Sequence, residues 1–556
     1  MNSPLRVVVI GGGVTGVGVA RDLVMRGVDV TLLERDRLAA GTTGRMHGLL
    51  HSGARYAVSD PESARQCREE NDVLRKIASH CVEATGGLFV QLAGDDPAYF
   101  DRKREACNAV GIRTRTASGS EARELEPSLS TDVERALLVP DAAIDPFRLV
   151  AATAASAEAH GATIETGYEV VDLERSDGGL TAVRATTKGE TDDNTATTDG
   201  PDAIFEADHV VNAAGPWVGD VVSGSDIEIP ISPSKGAMVV TNSRPVDTVI
   251  NRCRPKTAGD ILVPHETTAI LGTTDVPIDD PDSVEETPEE IAFLRDELSE
   301  MVPVLSESRI VRAYWGVRPL FDPGAGAGSP TDTSRDFAVL DHETRDGVAG
   351  LTTVLGGKLT TYRLMAERVA DLVAEKLGVE TPCRTARKPL PGSEADVDPD
   401  AVVDRYDLRT QIADRTVDRL GTRTDSVLES SAPNPIECEC EGVTRAEVRD
   451  AIDSVGADLA AVRMRTRATM GTCQGGFCSH RLAVLLAEEY DIETAWKEFV
   501  ALLEERWRGQ RLVSGGDHLA QMALNRAVRR ESLDSREGIR GDGTIQFEQF
   551  DGGDPK

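Results

Sequence analysis

Four cysteines stand in two close pairs near the end of this sequence: Cys438 and Cys440 in "IECECEGVTR", Cys473 and Cys478 in "MGTCQGGFCSH". The pattern is C-x-C, an amphipathic stretch "TRAEVRDAIDSVG", then C-x-x-x-x-C. Deprotonated thiols are soft ligands, so sulfur pairs at this spacing point to a metal centre. Three readings are open. Structural zinc favours C-x-x-C knuckles, and C-x-C is unusual for it. Four buried free cysteines would have no reason to sit in pairs. An iron–sulfur cluster needs four thiolates and backbone amides donated to its sulfurs, and the Gly loop of "CQGGFC" offers such amides. A structural disulfide is disfavoured in a chain with no visible export signal. The other five of the nine cysteines (Cys67, Cys81, Cys107, Cys253, Cys383) are scattered singly and read as ordinary buried side chains.

The opposite end carries different chemistry. "LRVVVIGGGVTGVGVARDLVMRGVDVTLLERD" reads as strand, Gly turn, helix, strand. Gly11, Gly13 and Gly16 satisfy G-x-G-x-x-G. The first makes the tight turn, the second lets the backbone approach a pyrophosphate, and the third lets helix and sheet pack closely. Val14 and Thr15 open the helix, whose N-terminus would face the phosphates. Glu34, followed by Arg35, ends the second strand where a carboxylate accepts from ribose hydroxyls. A second small-residue loop follows, with Thr42, Thr43 and Gly44, and the segment runs inward past Gly48 and Gly53. That arrangement resembles FAD-dependent oxidoreductases more than nicotinamide enzymes. Further cofactor contacts are expected from Val170, from Ala213, Ala214 and Gly215 in "ADHVVNAAGPWVGD", and from Gly356, Gly357, Lys358, Leu359 and Thr360 ahead of an amphipathic helix. No residue marks a covalent flavin attachment, so a tight noncovalent cofactor is expected.

The motifs "HSGARY", "GTTD", "WGVRPL", "SRDFAV" and "GGKLTTYR", in this order, resemble the FAD-dependent glycerol-3-phosphate dehydrogenases over about the first two-thirds of the chain. The resemblance implies oxidation of sn-glycerol 3-phosphate to dihydroxyacetone phosphate by hydride transfer to FAD. It places Arg318, Arg335 and Lys358 in the substrate pocket, with Arg55 and Tyr56 nearby; His51 also matches the family's motif. The chemistry agrees, because a phosphorylated polyol is a dianion and its pocket needs several cations. Each Arg taken singly could equally form a surface ion pair. Arg318 is the exception, since it lies in the apolar stretch "YWGVRPLF", where an unpaired cation would be costly. Cations near the reacting oxygen would stabilise a developing alkoxide. The proton acceptor stays open: His51 has the right titration range, but a structural histidine, an Arg or Lys, or a water held by them serves as well.

The elements that must position these residues define an α/β chain. A discontinuous, Rossmann-like FAD-binding domain is expected from 1–84, 140–225 and 340–378. An α+β substrate cap, with a mixed sheet and flanking helices, fills 85–139 and 226–339. "KPLPGSEADVDPD" opens a linker and helical segment, 379–435. A small, mainly helical iron–sulfur domain follows at 436–485, then a C-terminal helical extension at 486–545 and a disordered tail at 546–556. Trp496, Phe499, Leu502, Leu503 and Trp507 fall at helical spacing and are expected to pack onto the body of the chain, a partner-docking face being the alternative. The polar stretch at 186–202 is expected to be a surface loop outside the active site.

The four-cysteine region is similar to the small [2Fe-2S] domain of the bacterioferritin-associated-ferredoxin type. The combined layout resembles the A subunits of the anaerobic glycerol-3-phosphate dehydrogenases. That resemblance implies FAD and a [2Fe-2S] cluster as cofactors. As partners it implies a flavin-containing B subunit, together with an iron–sulfur, membrane-associated C subunit, and quinone as an indirect acceptor. It further implies a cytoplasmic chain, peripheral to the membrane through those partners. Two other readings compete: an FAD-dependent amine or amino-acid oxidase, and a non-catalytic electron carrier within a complex.

Bulk composition narrows the field. The 556 residues are 40% hydrophobic and 28% charged, as for a globular protein of two to four domains. The formal charge of -33 recurs along the whole chain and excludes general attraction to nucleic acid. It suits a very salty cytoplasm, where ions screen self-repulsion, and a halophilic source is expected. No signal peptide is visible: the apolar start is interrupted by glycines and closed by Arg21 and Asp22, and it is too short and too Gly-rich for a membrane span.

Overall fold

The computed structural model describes residues 5–176, 178–187, 202–321, 336–430 and 433–538. Strand Arg6–Ile10 lies inside a six-stranded sheet with the order Phe337–Asp341, Leu351–Gly356, His209–Asn212, Arg6–Ile10, Asp29–Glu34, Thr163–Thr166. All neighbours are parallel except the first pair. Successive side chains of a strand point to opposite faces, and both faces here are covered. Val7 and Val9 join a core with helices Val14–Met25, Pro146–Ala159 and Tyr362–Leu377. Val8 and Ile10 lie in a second core under a three-stranded antiparallel sheet, Tyr168–Ser176, Gly179–Thr187 and Asp202–Glu206. That is why the strand reads as an unbroken apolar run.

A nine-stranded sheet forms the cap. Its long strands Ile231–Thr241 and Ile310–Phe321 pair antiparallel, with Ser234 opposite Arg318. Strand Gly87–Leu92 joins the same sheet by pairing parallel with Val249–Arg252, so the sheet is mixed and draws on both chain segments. The Pro- and Asp-rich stretch after Leu377 begins anchored. Leu390 is fully buried in the core of the N-terminal helix, and its amide donates to the Ile77 carbonyl at 2.7 Å. The charged Arg21 is buried too, donating to Ser156 Oγ at 3.0 Å and to the Lys388 carbonyl at 2.7 Å.

The C-terminal region is a helical module with one short hairpin, Ile436–Cys438 and Val443–Thr444. Thr444 and Glu447 close a capping box at helix Arg445–Val455. Phe499, Leu502 and Leu503 of helix Ile492–Gln510 share a core with Cys438 and Cys478, so this helix packs on the cysteine module. Trp507 is half-buried with the Arg526 guanidinium 5.2 Å from its ring. Among the described residues no helix is long and apolar enough to cross a membrane. The tail at 546–556 and all but the edges of the polar stretch at 186–202 lie outside the described residues.

Half-buried ion pairs join the module to the rest. Glu505 accepts from Arg312 of the cap and from Arg463 of helix Leu459–Thr466. Burial alone would push the Glu505 carboxyl up, but Arg463 and Arg312 hold it down to about 2, against an ordinary 4.5. A depressed carboxylate contributes stability that is fully present above its unfolded value and is lost as pH falls through the folded one. For Glu505 this contribution is on the order of 3 kcal/mol. Melting temperature is therefore expected to fall steeply between pH 4.5 and about 2. Glu505→Gln is expected to melt lower at neutral pH with a shallower acid limb; identical acid limbs would remove Glu505 from this account.

Candidate functional site

A cavity of about 1020 Å³ runs from the N-terminal Gly turn to the cap strand Ile310–Phe321. The turn is close-packed. Gly11 has φ +109°, and a Cβ there would sit 2.6 Å from the Ala213 carbonyl oxygen. A Cβ on Gly16 would lie 1.9 Å from the Gly11 oxygen. Helix Val14–Met25 starts at Gly13, which has no side chain to cap it, and carries no acid in its first turn, so its positive end is offset by no charge of its own. Glu34 accepts from the Gly12 amide at 2.6 Å and from the Asp36 amide at 2.9 Å. Burial pushes its carboxyl up, and those amides oppose the shift. Thr43 Oγ1 accepts from the Val14 amide at 3.1 Å, while Thr42 donates to the Val317 carbonyl at 2.6 Å, tying this loop to both helix and cap.

Most of the expected cofactor contacts border this cavity: Gly11, Gly13, Val14, Thr15, Glu34, Arg35, Thr42, Thr43, Val170, Ala213, Ala214, Gly215, Gly356, Gly357, Lys358 and Leu359. Gly16, Gly44, Gly48 and Thr360 are not among its lining. Gly44 packs against the Ala39 carbonyl and Gly48 against the His265 ring. The Thr360 hydroxyl accepts from the His51 amide at 3.0 Å and so props the wall from behind. A glycine cradle that a Cβ would fill, a helix N-terminus and a carboxylate at the strand end fit a dinucleotide.

His51, Arg55, Tyr56, Arg318 and Lys358 border the same cavity. Lys358 Nζ lies 4.8 Å from the centre of the Tyr56 ring and 3.1 Å from Ser63 Oγ. The Tyr56 and His51 rings are 5.3 Å apart. Arg55 donates to the Thr257 carbonyl at 3.1 Å and stands 3.5 Å from Asp260. Arg318 is pinned on the cap strand: it lies 3.2 Å from Asp275, donates to the Thr274 carbonyl at 2.8 Å and meets the Thr273 hydroxyl. The apolar stretch around it therefore holds no unpaired cation. Arg335 lies outside the described residues.

Sequence reasoning missed four further cations on the cavity wall, Arg45, Lys256, Arg508 and Arg511. Arg45 was within reach, two residues after Thr43 in the same loop. Arg508 and Arg511 come from the end of helix Ile492–Gln510 and the turn after it, and no local pattern ties them to the Gly turn.

The four cysteines gather as two pairs, Cys438 with Cys478 and Cys440 with Cys473. Backbone amides face these sulfurs. Thr469 and Glu441 donate to Cys438, Thr469 also to Cys478, and Cys473 to Cys440. The Cys478 thiol, followed by those amides, brings Cys438 down to about 7 despite burial. Burial pushes Cys440 up to about 11, and the neighbouring Cys438 raises Cys478. The loop achieves this by left-handed backbone at Arg467, Thr469, Gln474 and Gly475. Among the described residues no three or more His, Cys, Asp or Glu side chains converge closely enough for one metal ion. The two-and-two grouping with inward amides fits two irons, each taking two thiolates.

Comparison with known proteins gives this architecture a place. Residues 6–363 match the family described as FAD dependent oxidoreductase, and residues 436–488 match the BFD-like [2Fe-2S] binding domain. Together they define a flavoprotein oxidoreductase with an appended iron–sulfur module, whose cofactors are FAD and a [2Fe-2S] cluster. The chain is 51% identical over 549 residues to the A1 subunit of the anaerobic glycerol-3-phosphate dehydrogenase of Haloferax volcanii, covering 98% of this chain and 94% of that one. It is 42% identical over 537 residues to the A subunit of the Escherichia coli K12 enzyme, covering 94% and 95%. It belongs to the family of anaerobic glycerol-3-phosphate dehydrogenase A subunits. The fold is also that of the glycerol-3-phosphate dehydrogenase of Bacillus halodurans, solved with FAD, at a TM-score of 0.59, 23% identity and 98% and 97% coverage.

Proposed function

We propose that the chain oxidises sn-glycerol 3-phosphate to dihydroxyacetone phosphate and passes the electrons through its cluster towards partner subunits. The observation that carries this reading is a single cavity joining the dinucleotide turn to a cationic end formed by Arg55, Arg318 and Lys358. When bound, FAD takes the hydride from carbon, and the cluster carries electrons onward singly.

The chain's own residues supply position and charge. Arg318, held by Asp275 and the Thr274 carbonyl, presents a fixed guanidinium to the phosphate dianion. Arg55 and Lys358 add charge from two other segments, and Arg335 is assigned with them from its sequence motif. As the secondary alcohol becomes a ketone, its carbon gives up a hydride and its hydroxyl a proton. His51 stands beside Tyr56, which Lys358 overlies, and is the group there whose ordinary range lets it take that proton. The cations near the oxygen stabilise the alkoxide as it forms.

Electrons leaving the cluster go towards a flavin-containing B subunit and an iron–sulfur, membrane-associated C subunit, with quinone as an indirect acceptor. The chain is then peripheral at the cytoplasmic face of the membrane through those partners. The charge of -33 supports a halophilic setting.

Anaerobic purification at high salt, followed by addition of sn-glycerol 3-phosphate, tests the reading. The expected result is bleaching of the flavin bands followed by slower loss of iron–sulfur absorption. Bleaching by an amino acid instead would replace the dehydrogenase with an oxidase; bleaching by neither would favour a non-catalytic carrier.

A further inference from the structure

Helix Leu459–Thr466 ends on Arg467, a left-handed residue with φ +65°. Glycine is the residue that adopts this conformation without strain, so an arginine here gives up about 1 kcal/mol of backbone preference. Its side chain compensates. The guanidinium is buried and bridges two carboxylates: Nε donates to Glu441 Oε2 at 3.0 Å, and Nη1 donates to Asp145 Oδ2 at 3.2 Å. These carboxylates belong to different parts of the molecule. Asp145 caps helix Pro146–Ala159 of the flavin domain, accepting from the amides of Phe147 and Arg148. Glu441 follows Cys440 in the cysteine hairpin, and its amide faces the Cys438 sulfur.

Arg467 therefore lies on a continuous route. His47, on the cavity wall, precedes Gly48, whose carbonyl accepts from the Ile144 amide at 2.8 Å. The next residue is Asp145, then the guanidinium, then Glu441 and its amide at Cys438. A second branch leaves Arg467 along its own backbone. Two residues on, the Thr469 amide faces both Cys438 and Cys478.

We propose that Arg467 is the positioning residue that couples the flavin cavity to the cluster, clamping the cysteine hairpin to Asp145 through Glu441 while holding two amide donors at the cysteine sulfurs and balancing the charge of the Glu441 carboxylate next to Cys440. The inference rests on the two-cofactor relay proposed above. In each transfer one electron leaves the reduced flavin and one enters the oxidised cluster, which gains a negative charge. Amide hydrogen bonds, and a cation that offsets the neighbouring Glu441 carboxylate, stabilise that reduced form and raise the cluster's potential.

The test uses the full-length holoprotein and two variants. Arg467→Gly suits the left-handed backbone and removes the bridge, leaving the buried Glu441 and Asp145 without their shared cation; Arg467→Lys keeps a charge but cannot span both carboxylates as a planar fork. The cluster's midpoint potential is read by electrochemical titration, without substrate, from its electron paramagnetic resonance signal. Flavin-to-cluster transfer is read by stopped flow after reduction with glycerol 3-phosphate. In Arg467→Gly the potential is expected to fall by about 59 mV, a tenfold shift for one electron. Cluster reduction is expected to slow at least tenfold, while flavin bleaching keeps its wild-type rate. Arg467→Lys is expected to recover the potential more than the rate. A wild-type potential and transfer rate in Arg467→Gly would overturn the proposal. If that variant assembles no cluster, an unchanged potential and rate in Arg467→Lys would overturn it instead, and a slowed rate there would support it. Failure of the wild-type protein to show a cluster signal would be failure of the relay itself.

Discussion

Arg318→Ala is expected to lower the rate of flavin reduction by glycerol 3-phosphate about a hundredfold, near 3 kcal/mol of lost stabilisation, while FAD stays bound. The side chain contributes twice. It supplies a fixed positive charge on the cavity wall for a phosphate, and it satisfies Asp275, whose carboxylate lies 3.2 Å away and is almost fully buried. Removing it leaves Asp275 beside an incoming dianion, so repulsion adds to the lost attraction. Arg318→Lys is expected to recover only part of the rate, because one ammonium cannot reach Asp275 and the Thr274 carbonyl while facing substrate. Flavin retention separates this from unfolding: the cofactor's cradle uses other residues. Stopped-flow reduction at saturating substrate decides the matter, and a wild-type rate in Arg318→Ala would move the phosphate elsewhere in the cavity.

Gly16→Ala is expected to give a colourless, flavin-free chain. The new methyl would meet the Gly11 carbonyl oxygen at 1.9 Å, and backbone cannot yield as a side-chain tip does. Gly11 is fixed by its own amide, which donates to the Leu33 carbonyl at 2.8 Å. The helix must therefore move away from the strand, opening the turn that cradles the pyrophosphate, at a cost of about 3 kcal/mol in packing alone. Gly219→Ala is the control, since nothing lies within 4 Å of a Cβ there. Flavin absorbance per mole of purified protein should be lost in the first and kept in the second. A yellow Gly16→Ala would show that the turn has slack which the geometry denies.

How much of this could be read from the sequence follows from the range of the interactions. The Gly turn, its helix and Glu34 lie within about thirty residues, and local spacing carries their meaning. The cysteine pairs are equally local, but the amides that face them come from Thr469, Glu441 and Cys473 and not from the Gly loop between Cys473 and Cys478. Interactions that span the chain left no such mark. Arg21 looked like the polar end of an apolar stretch, yet its partner carbonyl on Lys388 is 367 residues away. The segment carrying that carbonyl read as a linker because composition cannot show that Leu390 is buried under the N-terminal helix. Arg467 is similar: sequence shows one arginine among several in "RMRTRATM", and only the fold brings Asp145 to it from 322 residues away. Arg318 and Asp275 both lie in motifs the sequence displays, "WGVRPL" and "GTTD", but their pairing was not legible, since it depends on strand register across the cap.

The interleaved sheet has a consequence for how the chain is made. Strand Arg6–Ile10 emerges from the ribosome early, yet its neighbour His209–Asn212 and that strand's neighbour Leu351–Gly356 come much later. Arg511, on the cavity wall, is about five hundred residues behind Gly11. At about 5–20 residues per second, roughly 25 to 100 s separate the first and last pieces of the flavin cavity. The nascent chain carries an open strand edge until Leu351–Gly356 is made, and an unfinished cavity wall until Arg511. The cavity wall is complete only once Arg508 and Arg511 are made, so a chain truncated before helix Ile492–Gln510 lacks both cations while every residue of the Gly turn is intact.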